Sequence, residues 1–166
     1  MPLPQTTEGA VKSLTIKRML LVSLLAATAL VALPFTPDRV AAAEGKSKVK
    51  VLYHVDGKDP DVAKYALALI NKHIEAEGGP ENIDVELIVH GPALELFETD
   101  KMDPELKKRF DQAIEKGVHA EMCQVSMKMF GKPLEKLAKG FVATLHPVAV
   151  KRIADLQQQG YVYIKP

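Results

Sequence analysis

"VKVLYHVDGKDPDVAKYALALINKHIEAEGGPENIDVELIVH" (residues 49–90) holds two apolar, β-branched runs, 49–55 and 83–90, each of strand length and bounded by turn residues. Between them lies a helical pattern with a clear start and stop. Asp59 stands at the N-cap, Pro60 at the first helical position, and Val62, Ala66, Leu69, Ile70 and Ile74 fall on one face before Gly78 ends the helix. Strand, helix and strand in succession predict a parallel pair, because parallel neighbours need a crossover connection.

The pattern recurs along the chain. "GVHAEM" (117–122), "GFVATL" (140–145) and "YVYI" (161–164) read as further strands. Asp103 and Pro104 open a second helix with Leu106, Phe110, Ala113 and Ile114 inward, closed by Gly117. Pro147 opens another, with Ala149, Ile153 and Leu156 inside and Gly160 at its stop. A shorter helix is expected after "HGP" (90–92), and "QVSMKMF" (124–130) reads as a short helical stretch. The expectation is a five-stranded, mainly parallel sheet in a three-layer α/β/α domain, with strand order left open by the local pattern.

The first part of the 166-residue chain is of another kind. Lys12, Lys17 and Arg18 precede an apolar run from Met19 to Leu33, too short for a comfortable membrane span, and Ala41 and Ala43 satisfy the small-x-small rule for cleavage before Glu44. Residues 1–43 are read as a secretory signal peptide and 44–166 as one domain, periplasmic or secreted and free of the membrane once the signal is cleaved. Four of the 22 basic and two of the 21 acidic residues lie in the signal, so the mature domain carries 18 against 19. That balance excludes nucleic acid as the expected partner, since no basic surplus exists to displace counterions. No dinucleotide fingerprint follows the first strand, where "YHVDGKDPD" stands instead, and no Gly-x-Ser-x-Gly elbow or Walker loop occurs.

An exported chain normally pairs its cysteines, yet this one has a single thiol, Cys123. In an open α/β sheet, ligands gather at the carboxyl ends of the strands. His54, His90, Cys123 and His146 fall at the ends of the first four strands and so share one rim. Cys123 also precedes the short helix, where the positive end of the peptide dipoles favours a thiolate. Ser126 lies within reach as a hydrogen-bond donor to it. Burial as a small hydrophobe is the competing use of a free cysteine.

Soft metal is the other candidate chemistry, with Cys123, Met127 and His90 as the alternative ligand set for Cu(I). His119 and Cys123, four strand residues apart at about 13 Å, are too distant to share an ion. No paired-cysteine or His-x-x-x-His spacing signals zinc. No cofactor is implied by the residues.

"VLYHVDGKDPD", "IVHGPALELF", "GVHAEMCQVSMKMFG" and "ADLQQQGYVYIKP" together resemble the DsrE/DsrF-like (TusD-related) family over roughly Lys48 to Pro166. The resemblance implies a flavodoxin- or Rossmann-like three-layer fold and homo- or hetero-oligomers, often trimers or hexamers. It also implies that Cys123 carries sulfur as a persulfide, received from a small donor or a sulfur-carrier protein; from their places at the strand ends and near the thiol, His54, His90, His146 and Ser126 are expected to shape its pocket. Relay members work in the cytoplasm, whereas this chain carries an export signal. The expected function is therefore sulfur handling in the cell envelope, the alternatives being a Cu(I) module and an oligomeric interaction subunit without chemistry.

Overall fold

The computed structural model describes residues 47–166. The predicted signal peptide, residues 1–43, lies outside the described residues, as does its cleavage site. The strands are β1 (Val49–Val55), β2 (Ile83–Val89), β3 (His119–Met122), β4 (Phe141–Ala143) and β5 (Val162–Ile164). They form one sheet in the order β4-β3-β2-β1-β5, with every neighbouring pair parallel. The helices are α1 (Pro60–Ala76), α2 (Pro104–Glu115), α3 (Gln124–Phe130) and α4 (Ala149–Gln158), with 3-10 turns at Gly91–Phe97 and Leu134–Lys136. No described helix is long and apolar enough to cross a membrane.

The strand order dictates where the helices go. From β1 to β4 the chain steps one way across the sheet, so right-handed crossovers place the intervening helices on one face. From β4 it must return past the whole sheet to β5, and the same handedness sends α4 to the opposite face. The connections leaving β3 and β4, adjacent strands, therefore diverge to opposite sides. That divergence is the kind of switch point at which open α/β sheets bind their ligands.

Side chains alternate between the two faces along each strand. Val51, Tyr53, Val55, Val85, Leu87, Val89, Ala120 and Met122 join α1 and α2 in the larger core. Leu52, Ile88 and Cys123 form a smaller core on the other face with Ala149, Ile153 and Leu156 of α4, and Tyr161 packs against it. The α1 stripe is rotated from the expected one: Ala63, Ala66, Leu67, Ile70 and Ile74 are buried while Val62 is exposed. Both residue sets have helical spacing, and only the packing partner selects between them.

Local signals hold where capping chemistry is explicit. The Asp59 carboxylate accepts from the Asp61 N–H at 2.9 Å, and Asp103 accepts from Glu105 and Leu106 at 3.0 and 2.9 Å. β3 starts at His119, two residues later than expected, because Gly117, at φ +85°, still belongs to the turn ending α2. β4 ends at Ala143, where Thr144 begins a loop, and α4 starts at Ala149 with Val148 at its N-cap.

Candidate functional site at the carboxyl edge of the sheet

Cys123 follows β3 directly, and its N–H donates to the Val89 carbonyl of β2 at 3.0 Å. It is 5% exposed. Its Sγ donates to the Pro147 carbonyl at 3.5 Å and gives no side-chain cap to α3. The expectation of a thiol at an open rim is therefore corrected: the residues after β4 cover it. Those residues are held against α3, since Gln124 Nε2 donates to the Thr144 carbonyl at 2.6 Å and the Val125 N–H to that of Pro147 at 3.1 Å. Thr144, 1% exposed, returns its N–H to the Met122 carbonyl at 3.0 Å.

Two of the rim histidines do come together. His54 and His90 stack with ring centroids 4.7 Å apart, and the Tyr163 hydroxyl meets His54 Nδ1 at 2.7 Å. The register carries β1 and β2 to the pair Val55 and Val89, which sets His54 and His90 at one edge beside Cys123. Asp56 lies 3.9 Å from His54 Nε2 and accepts from Lys165 at 2.7 Å. Burial, and then the neighbouring His90, hold His54 down to about 4 from 6.5. Burial lowers His90 as well. The Lys165 hydrogen bond holds Asp56 below the usual carboxylate range.

A pH dependence follows from His54. Its folded-state affinity for a proton is depressed, so between pH 6.5 and about 4 the unfolded chain binds more protons than the folded one. Its contribution is complete above the unfolded value and is lost as pH falls through that window. The expected loss is about 2–3 kcal/mol, read from denaturant midpoints across the window, and His54→Gln should make the slope shallower. An unchanged slope in that variant refutes the assignment.

His146 and Ser126 have other employment. His146 is exposed and its Nδ1 accepts from the Val148 N–H at 3.1 Å, fixing the turn before α4. Ser126 is buried and accepts from the Gly91 N–H at 2.7 Å, so it braces the turn after β2 and not the thiol. The copper set is not assembled either. Met127 packs against the larger core while Cys123 belongs to the smaller one, on the other face of the sheet.

Beneath α4 lies a polar cluster. Arg152, 7% exposed, reaches Glu121 at 2.7 Å and Glu86 at 3.4 Å, and His119 Nδ1 meets Glu86 at 2.8 Å. Burial pushes the Glu86 carboxyl up despite His119. Burial also works against the Arg152 charge, but the two carboxylates outweigh it and hold its proton more tightly.

The DsrE/DsrF-like family model matches residues 47–166, the whole of the described domain. The chain belongs to the DsrE/DsrF-like family. That family is associated with sulfur relay in general. A protein of unknown function, MTH1491 of Methanobacterium thermoautotrophicum, is similar in structure at 18% identity and TM-score 0.60, over 72% of this chain and 100% of that one. The ychN protein of E. coli is similar at 12% identity and TM-score 0.57, over 72% and 99%. At these identities the likeness shows the fold alone. No curated protein matches.

On this DsrE-like sheet the sequence reading passed over Asp56, Glu86, Glu121, Thr144, Arg152 and Tyr163. A signal existed for three of them. Glu86 and Glu121 interrupt apolar strands, and Arg152 falls on the inward stripe of α4 with Ala149, Ile153 and Leu156. Charges on inward positions of separate elements need one another.

Proposed function

We propose that this protein accepts sulfane sulfur on Cys123 and passes it to an acceptor. The observation that supports this most is the place of the thiol, where the connections from β3 and β4 diverge, in a family associated with sulfur relay. A Cys123 thiolate attacks the terminal sulfur of a donor persulfide, the donor S–S bond breaks, and the donor leaves as a thiol carrying the proton that Cys123 released. One persulfide is lost and one gained, with no net oxidation.

Access requires the Thr144–Val148 segment to lift, exchanging the Pro147 carbonyl for the incoming sulfur. Leu145, 78% exposed, and Val148, 40% exposed, offer a sulfur-carrier protein apolar purchase on that segment. The reading includes export, supported by the basic and apolar N-terminal pattern and the Ala41/Ala43 site, and assembly as a homo-oligomer, supported by the family resemblance. Mass spectrometry after incubation with polysulfide should find one added sulfur atom on the native chain and none on Cys123→Ala. An unmodified native chain, or an adduct that survives the substitution, overturns it.

The burial of Cys123 among Leu52, Ile88, Ala149, Ile153 and Leu156 favours a second reading, an interaction subunit whose thiol only packs. Labelling of the folded protein by a thiol reagent separates the two. Modification at the rate of the unfolded chain's thiol is incompatible with permanent packing, and complete protection is incompatible with relay.

A further inference from the structure

Among the described residues three buried side-chain polar atoms lack a hydrogen-bond partner: His54 Nε2, His90 Nε2 and Asn71 Oδ1. Two of the three belong to one stacked pair of imidazoles. Buried polar atoms are nearly always paired, so two orphans side by side call for a ligand. His54 is 6% exposed, and its unpartnered nitrogen faces the Asp56 carboxylate at 3.9 Å. One ligand atom from each of His54, Asp56 and His90 lies within 4.8 Å of the others.

We propose that His54, Asp56 and His90 form a binding site for a divalent transition-metal ion, with zinc as its reference ion, at the carboxyl ends of β1 and β2. Two imidazoles and one carboxylate suit a borderline ion such as zinc or cobalt and do not suit calcium or magnesium, which take oxygen ligands. Three protein ligands leave a position open for water or a small ligand. A metal-bound histidine normally donates its second ring N–H to a supporting group, and Tyr163, 2.7 Å from His54 Nδ1, is placed to accept it. That tautomer leaves the Nε2 lone pair directed to the ion.

Closing the ligand atoms to the roughly 3.3 Å edge of a zinc tetrahedron requires turning the half-buried His90 ring out of its stack. It also requires the ion to displace Lys165, whose ammonium now neutralises Asp56 at 2.7 Å. The Lys165 side chain is about half exposed, so its ammonium can swing away into solvent. The other carboxylate–histidine group, Glu86, His119 and Glu121, differs on this point. Arg152 already fills it as the counter-cation, and none of its atoms is orphaned.

The test is titration of the chelator-treated full-length protein with Zn²⁺ against a chromophoric chelator, and with Co²⁺ followed by its visible absorption. One ion per chain is expected, with a cobalt spectrum free of thiolate charge transfer. Tyr163→Phe should weaken zinc binding by about 10–100-fold and His90→Gln or Asp56→Asn by more, while Lys165→Met should tighten it by removing the competing cation. His119→Gln, in the other cluster, should leave it unchanged. The absence of stoichiometric binding, or binding undiminished in both His90→Gln and Asp56→Asn, overturns the proposal. Sulfur loading of Cys123 is a separate measurement, and its failure leaves this one standing.

Discussion

Arg152→Ala is expected to destabilise the domain by about 3–5 kcal/mol, the cost of removing one member of a buried ion cluster. The buried guanidinium meets both Glu86 and Glu121 beneath α4, and Glu121 is 0% exposed. Without it the Glu121 carboxylate loses its nearest partner in a place water does not reach, with only the nearly half-exposed His119 beside it at 3.5 Å. Unfolding by urea at neutral pH measures the loss. Adding Glu121→Gln to the alanine variant should recover a large part of it, since the penalty belongs to the stranded carboxylate more than to the lost pair. A loss below about 1 kcal/mol, the range of an exposed pair, contradicts the account.

Phe97→Ala carries the second large effect, about 3–5 kcal/mol, through the cavity left by a 0% exposed ring. Phe97 meets Phe141 edge-on at 5.2 Å and Phe110 at 5.6 Å, and those two stack at 4.7 Å. The three rings come from the 3-10 turn after β2, from α2 and from β4. β4 pairs with β3 over only three residues, so much of its anchorage is this cluster. Amide exchange should quicken in Phe141–Ala143 before it does in β1. By contrast Met129→Ala, at a 73% exposed site, should change stability by less than about 0.5 kcal/mol. Equal effects at the two sites refute the packing argument.

The parts of this architecture written in short-range code were legible beforehand. Asp-Pro at residues 59–60 and 103–104 starts a helix by local hydrogen bonding, and the β-branched runs of β1 and β2 need no distant partner to be read as strands. What depends on a distant partner was not. The phase of the α1 stripe is set by which residues meet α2 and the sheet, so Ala63 and Leu67 are buried while Val62 is exposed and Leu69 packs only at the margin of the core. The covering of Cys123 depends on a carbonyl 24 residues away, and the His54 partnership with Tyr163 spans 109. Shared placement of His54 and His90 followed from topology, but their mutual stacking and shared lack of partners are properties of packed side chains.

The uneven dressing of the sheet, with α4 alone on its second face, bears on the order of assembly. β1 through β4 are joined neighbour to neighbour and can form as the chain is delivered, each closing a modest loop. β5 must find β1 across almost the whole domain, and it brings α4 with it. Until that final docking the thiol lacks the side chains of Ala149, Ile153 and Leu156 that pack on it. A chain cut short before α4 would therefore leave Cys123 covered by the residues after β4 alone.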